Sequence, residues 1–314
     1  MQSASSCEPA TVAEVATALA EASRSGRRVS IERSGGDLVL STAKLDHVLE
    51  YTPGDLVITV EAGIRLADLN ARLAAQGQML ALDPPGDPTI GACIAGALSG
   101  PRRHRYGAPR DLVLGVTVVL ADGTVASAGG KVVKNVAGYD LAKLFCGSRG
   151  RLGLIARASL RLHPLPPAVR TLRVAVPDVA EAHRVWQLLH RSQLVPSAVD
   201  LRWRRGSGVL AVLLEGSERS VEEQAAAAHS LLGTVPGSDQ DWDESREWQR
   251  RSAGRLTFPP RGLTPTLAAL PEALVRPGPG TAYVMDADDS GIEAGARELA
   301  ERVRRALDPG DTLV

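Results

Sequence analysis

Residues 129–155 read GGKVVKNVAGYDLAKLFCGSRGRLGLI. A double glycine, a Lys-Asn pair, a Gly-Tyr-Asp turn and a second set of glycines share this span, a combination that core strands and helices have no reason to carry. Glycine reaches backbone conformations closed to other residues and lets a ligand approach the main chain. Leu141, Leu144 and Phe145 carry the spacing of one helical face, and Leu152, Leu154 and Ile155 start a buried strand. The stretch is expected to be a loop, a short helix, a loop and a strand, either a tight α/β connection or a cofactor contact. Two nucleotide motifs are excluded. Val132 follows Gly130-Lys131 where a P-loop needs Ser or Thr for magnesium, and Gly147, Gly150 and Gly153 precede a strand instead of opening a helix after one.

Three upstream stretches suit the same purpose. Val29–Arg33 is a short strand running into Ser34-Gly35-Gly36, a loop whose consecutive amides can nest an anion or simply turn the chain; Asp37 follows it. In DPPGDPTIGACIAGALSG (83–100) prolines fix the entry, Thr89-Ile90-Gly91 gathers small residues and free amides, and Ala92 to Ser99 lets a planar ring or a pyrophosphate lie close, or packs as a small-residue helix. GPRRHRYG (100–107) is basic: Arg102 or Arg103 can pair with a phosphate or with a partner's acidic patch, and the alternative is a solvated surface. Asp122-Gly123, between Val116–Leu120 and Thr124–Ala128, is a hairpin signal.

The joint occurrence of GPRR (100–103), RDLVLG (110–115) and KNVAGYDL (134–141) resembles the FAD-binding subunits of glycolate oxidase, within the vanillyl-alcohol-oxidase or PCMH-type flavoprotein superfamily. The resemblance covers residues 28 to 167. It implies an α+β chain: a PCMH-type, two-subdomain FAD-binding domain at 1–167, then a smaller ferredoxin-like cap domain at 168–314 that faces substrate. It also implies non-covalent FAD held by Ser34, Gly35, Gly36, Pro85, Thr89, Ile90, Gly91 and Ala92, by Ser99, Gly100, Arg102, Tyr106, Gly107 and Asp111, and by Lys134, Asn135, Gly138, Tyr139, Gly153 and Ile155. His104 and Cys93 lie where such enzymes can attach FAD covalently, but neither stands in an attachment motif. The implied activity is oxidation of glycolate, a small 2-hydroxy acid, to glyoxylate by hydride transfer to flavin, beside a second flavoprotein subunit and an iron–sulfur subunit. The alternatives are a flavin-deficient assembly or electron-relay subunit, which SGGD in place of a GxGT-type loop favours, and a free-standing oxidase of another small hydroxy acid.

Composition sets the outer bounds. The 314 residues suit two domains, and 44% hydrophobic content suffices for a core in each. Thirty-six basic residues balance 36 acidic ones and aromatics are 3%, which argues against nucleic acid and anionic membrane as partners. Cys7, Cys93 and Cys146 form no CxxC pattern, so neither a disulfide framework nor a structural zinc site is expected. No apolar run reaches membrane-spanning length and the N-terminus does not read as a signal peptide, so the expected setting is cytoplasmic, at a membrane only through a partner.

Thr11 with Glu14 is a capping box opening a helix over 11–25, and Leu66, Leu69 and Leu73 share a face of a helix near 66–76. His163-Pro164-Leu165-Pro166-Pro167 breaks the chain into a linker. Beyond it the pattern reads β-α-β-β-α-β, with a helix capped by Asp178, strands at 198–203 and 209–214, a helix capped by Ser220 with Glu223, and Tyr283–Met285 as last strand. Residues 234–280 read as a long irregular insertion, and 290–307 as a final helix with a capping box from Ser290 to Glu293. His183 and His190 read as surface residues without a third metal ligand. No acid, base or nucleophile stands out; Arg202, Arg204, Arg205 and Arg255 are candidates for anchoring a substrate carboxylate, each with a structural role as the alternative.

Overall fold

The structure is a computed structural model that describes residues 5–130, 140–286 and 294–314. Its first part begins with β1 (Ser5–Cys7), α1 (Val12–Arg24), β2 (Val29–Ile31) and β3 (Leu38–Leu40), the strands forming a parallel sheet in the order β1-β3-β2. Half of the expected capping box forms: Thr11 Oγ1 accepts the Glu14 amide at 3.2 Å, but the Glu14 carboxylate accepts the Ala10 amide at 2.7 Å, one residue before the Thr11 amide that the box would use. Val15, Leu19 and Ala22 of α1 then pack with Val29, Leu38 and Leu40 in one core.

A larger antiparallel sheet follows, ordered β4-β5-β9-β7-β8, from β4 (Val48–Thr52), β5 (Val57–Glu61), β7 (Val113–Val119), β8 (Val125–Gly129) and β9 (Leu154–Arg161). Between them lie α2 (Leu66–Ala74), β6 (Gln78–Met79), α3 (Ile90–Ala95), α4 (Arg103–Tyr106) and α5 (Pro109–Leu112); β10 (His163–Pro164) pairs with β6. Alternation decides the faces: Ile58 and Val60 of β5 enter the core, while Thr59 bonds Ser159 of β9 at 2.9 Å on the other face. The β7–β8 hairpin turns at Asp122-Gly123 with φ 87° at the glycine. The helix expected near Leu141 is a single 3-10 turn (Leu141–Leu144); Phe145 is buried, whereas Leu141 and Leu144 face solvent.

The second sheet is formed by β11 (Ala168–Val176), β12 (Ala198–Arg204), β13 (Ser207–Gly216), β14 (Val235–Pro236), β15 (Gly254–Thr257), β16 (Glu272–Arg276) and β17 (Thr281–Val284), in the order β14-β11-β13-β12-β16-β17-β15. With α6 (Val179–Arg191) and α7 (Glu218–Leu232), the portion β14-β11-β13-β12 has the ferredoxin-like arrangement expected. Its closing strand is β14 rather than the segment around Tyr283, because α7 ends at Gly233 (φ 65°) and the chain returns beside β11 at once. Helix α7 also starts earlier than expected, with Ser217 as its cap. Nor is 234–280 irregular: α8 (Asp239–Arg251), β15, α9 (Leu263–Ala269) and β16 fill it, and β16-β17-β15 widen the sheet.

The last helix, α10 (Ala294–Leu307), turns the chain back to the first part, the cap expected at Ser290 and Glu293 lying outside the described residues. The division expected at residue 167 groups 294–314 with the second part, yet Val303 and Leu307 pack on the core of the five-stranded sheet and Leu313 enters the core around α1. Asp308, 1% exposed, accepts the amides of Thr312 at 2.9 Å and Leu313 at 2.7 Å. The tail then runs parallel to β2, with the Val29 amide on Thr312 O at 2.6 Å and the Val314 amide on Val29 O at 3.0 Å.

Candidate functional site

A cavity of about 220 Å3 opens between the two sheets of the first part. Ile31, Glu32, Arg33 and Thr42 wall it on the small-sheet side; Thr89, Gly91, Ala92, Ala95 and Gly96 of α3, with Arg149, Gly150, Gly153 and Ile155, wall it on the other. The second wall is nearly free of side chains for reasons set by the backbone. Gly91 lies against Ala62, where a Cβ would come within 3.0 Å of the Ala62 Cβ, and Gly153 has φ 151° with Val119 O 3.0 Å from a would-be Cβ.

The two glycine loops differ in what their amides do. At α3 they are engaged: Ile90 N–H on Ile64 O at 3.0 Å, Gly91 N–H on Ala62 O at 2.7 Å, Ala92 N–H on Thr89 Oγ1 at 3.2 Å. The expectation of free amides there is corrected, because this turn is stitched to the end of β5 and the chain that follows it. In the small loop the amides of Arg33, Ser34, Gly35 and Gly36 take no acceptor among the described residues. Asp37, which set a negative charge beside that loop, is turned away from it: its carboxylate accepts the Arg28 amide at 2.9 Å. Four consecutive free amides, beginning at the cavity wall with Arg33, are the groups from which an anion nest is made.

A polar seam joins the two parts. Asp83 receives the Arg102 amide at 3.1 and 3.2 Å on its two oxygens, and the Arg102 side chain pairs with Glu215 of β13. Burial pushes the Asp83 carboxyl up to about 7, against the opposing pull of Arg102, Arg276 and Arg246. Arg276, 1% exposed, donates to Asp200 at 3.0 and 3.4 Å and to the Tyr283 hydroxyl at 3.1 Å. His104 sits edge-on to Trp186 with its Nδ1 buried and unpartnered, and burial lowers its pKa; a Cβ on Gly278 would run into its ring. Gln249 of α8 adds a bond to Ser99 O at 2.8 Å.

Among the expected site residues, Thr89, Gly91, Ala92, Gly153 and Ile155 line the cavity, and Ser34, Gly35 and Gly36 continue from its wall at Arg33. Ile90 is buried beneath. Pro85 lies instead on a second cleft, of about 380 Å3, between α2 and α8. Ser99 and Gly100 are packed in the seam, Gly100 against Asp83, and Arg102 and Tyr106 both point to Glu215. Gly107 rests on Asp111, whose carboxylate is spent on the Ala108 amide at 2.8 Å. Lys134, Asn135, Gly138 and Tyr139 lie outside the described residues. Glu32, Thr42, Ala95, Gly96 and Arg149 on the cavity, and Asp83, Asp200 and Arg276 in the seam, were not singled out; only Arg149, set between Gly147 and Gly150, carried a local signal.

Neither candidate for covalent attachment reaches the cavity. The Cys93 thiol is fully buried and pushed by burial up to about 12. His183 bonds Thr264 at 3.2 Å and His190 stacks on Trp186. Among the described residues no group of three His, Cys, Asp or Glu side chains is placed to hold a metal, and no helix is long and apolar enough to cross a membrane.

Residues 4–129 match the family described as FAD binding domain. Over this region the chain is similar to an FAD binding domain. The chain is 37% identical over 207 residues to the glycolate oxidase subunit GlcE of Escherichia coli K12, covering 64% of this chain and 56% of that protein. It is 31% identical over 233 residues to a probable mitochondrial D-lactate dehydrogenase of Danio rerio, covering 69% of this chain and 47% of that protein. The chain thus spans about half the length of these relatives. A solved structure of alkyldihydroxyacetonephosphate synthase superposes on 98% of this chain and 75% of its own, with TM-score 0.72 at 16% identity, which establishes a shared fold. The residues of this region fit FAD: free amides and the unpaired Arg149 guanidinium suit a diphosphate, and the side-chain-poor wall at α3 suits close approach of a large ligand.

Proposed function

We propose that the chain is the FAD-binding subunit of a glycolate oxidase or dehydrogenase complex, which oxidises glycolate, a 2-hydroxy acid, to glyoxylate. The likeness to the Escherichia coli subunit carries this reading, because it extends over 207 residues, beyond the FAD-binding domain alone. FAD, when bound, supplies the chemistry, accepting hydride from the carbon that bears the hydroxyl. The protein's part is to hold the cofactor between the two sheets and to anchor the acid.

The anchor belongs to the seam. Arg202 and Arg204, two sequence candidates, are taken by Asp241 at 2.7 Å and Glu272 at 2.6 Å. Arg255 of β15 stands opposite Tyr283 in the sheet, and its guanidinium has no hydrogen bond or ion pair among the described residues. Arg103 is equally unpaired and lies in the field of Tyr283, Arg255 and Arg276, with its pKa lowered by burial. Two uncommitted guanidinium groups at one seam suit a small carboxylate. A proton acceptor is also at hand, since Asp83, at about 7, exchanges its proton near neutrality.

Partners in this reading are a second flavoprotein subunit and an iron–sulfur subunit, supported by the relative's description as a subunit. The setting is the cytoplasm, with membrane association only through a partner; the three unpaired cysteines suit a reducing compartment. A second reading, a flavin-free assembly or relay subunit, is favoured by the Glu32 carboxylate on the cavity wall. The deciding experiment is the visible spectrum of the purified chain before and after denaturation, followed by glycolate addition to the chain co-expressed with its partners. Released flavin and bleaching by glycolate support the first reading; a colourless protein that takes up no FAD supports the second.

A further inference from the structure

Two residues other than glycine hold left-handed backbone on opposite walls of the cavity, Glu32 at φ 58° and Arg149 at φ 56°. Such a conformation costs on the order of 1–3 kcal/mol and persists only where the surroundings enforce it. At Arg149 the fastening is visible. Its amide donates to Ala95 O at 2.8 Å, and its carbonyl accepts Arg33 Nη2 at 3.3 Å, the same nitrogen that reaches Val314 O at 2.7 Å.

The main chain is therefore tied across the cavity mouth while the Arg149 guanidinium makes no hydrogen bond and no ion pair among the described residues. The other charges on the cavity are committed. Arg33 is spent on two carbonyls, and the Glu32 carboxylate is held by the amide and hydroxyl of Thr42. A strained, fastened backbone that presents an uncommitted cation opposite four free amides is arranged for an anion with several oxygens. A guanidinium meets such a group through two parallel N–H bonds.

We propose that Arg149 is the cation that holds the diphosphate of FAD, clamping it against the amides of Arg33–Gly36. The inference rests on the FAD-dependent reading above and deepens it: Arg149 makes the site select a dinucleotide over flavins without an adenylate. Its position on the cavity rim, exposed and outside both cores, lets it be replaced without touching the packing.

The test is equilibrium binding by the flavin-stripped full chain, with FAD and riboflavin followed by flavin fluorescence and ADP by calorimetry. Arg149→Ala should raise the Kd for FAD and for ADP about tenfold or more, the loss of one charge-assisted contact, and leave riboflavin unchanged; Arg149→Lys should recover part of the loss. Equal FAD affinity in wild type and Arg149→Ala overturns the proposal, as does equal weakening of FAD and riboflavin, which indicates a general defect. Failure of the wild type to bind any flavin overturns the FAD-dependent reading itself, a result distinct from either.

Discussion

Arg102 grips Glu215 through both Nε and Nη2, at 3.0 and 2.6 Å from one carboxylate oxygen, although the two residues belong to different sheets' territories and the glutamate side chain has no exposed surface. Tyr106 donates to the other oxygen at 3.3 Å, and Arg105 donates to the Glu215 carbonyl at 3.2 Å. One buried glutamate thus gathers three side chains of the GPRRHRYG loop, two on its carboxylate and one on its carbonyl. Arg102→Met strands that charge and should cost about 3 kcal/mol, read as a lower urea midpoint. Glu215→Gln, which keeps an acceptor for the arginine, should cost less. All four tryptophans lie beyond residue 167, so their fluorescence reports the loosening.

Asp83 gives the protein a pH dependence of definite sign. Its folded pKa, about 7, lies above the ordinary carboxyl value, so the folded state binds the proton more tightly than the unfolded chain. Its contribution is fully present below the unfolded pKa and is lost as pH rises to about 7. Thermal melts of wild type and Asp83→Asn between pH 4 and pH 8 should therefore diverge, the variant losing the decline over about pH 4–7. Parallel curves count against a buried carboxyl at this position.

Glu32 places a carboxylate on the same wall as the amides that would meet a diphosphate. Glu32→Gln keeps an acceptor for Thr42 and removes the charge, so FAD should bind several-fold more tightly at low salt. Salt should narrow the gap, because screening removes it from wild type first. Fluorescence titration at two ionic strengths checks both.

Gly123 is required twice over. Its φ of 87° disfavours any side chain, and a Cβ would stand 2.6 Å from Ala16 O and 2.8 Å from the Ala20 Cβ of α1. Gly123→Ala should lower stability by roughly 2 kcal/mol, measured by thermal or urea unfolding, although the residue is at a surface hairpin.

Much of the fold was written locally. The Thr11 cap on the Glu14 amide, the Asp122-Gly123 turn and the paired strands β12 and β13 each follow from neighbours in sequence. Helix α8 did not, because its sequence DQDWDESREWQRR has almost no apolar stripe; Trp242 alone is a large apolar side chain buried along it. Strand β14 is too short to leave a pattern. The seam escaped for another reason: Asp83, Asp200 and Glu215 acquire their meaning only from arginines distant in the chain, and a lone acidic residue in a strand has no periodicity. Of the cavity, the small residues at α3 and Gly153 were legible as glycine-rich sequence. The charged pair Glu32 and Arg149 was not, since their left-handed backbone is imposed by the tertiary structure.

The return of the tail to β2 has a consequence for biosynthesis. Strand β2 emerges early from the ribosome, but its outer neighbour, residues 312–314, emerges only after the whole second sheet has been translated. The small parallel sheet, and with it one lip of the cavity, must therefore wait in an unfinished state while the later sheet folds on its own, since pairings this far apart in sequence carry the largest loop-closure penalty. A nascent chain of this protein would complete that lip of the cavity, and with it the place for its cofactor, only after the second sheet has been made.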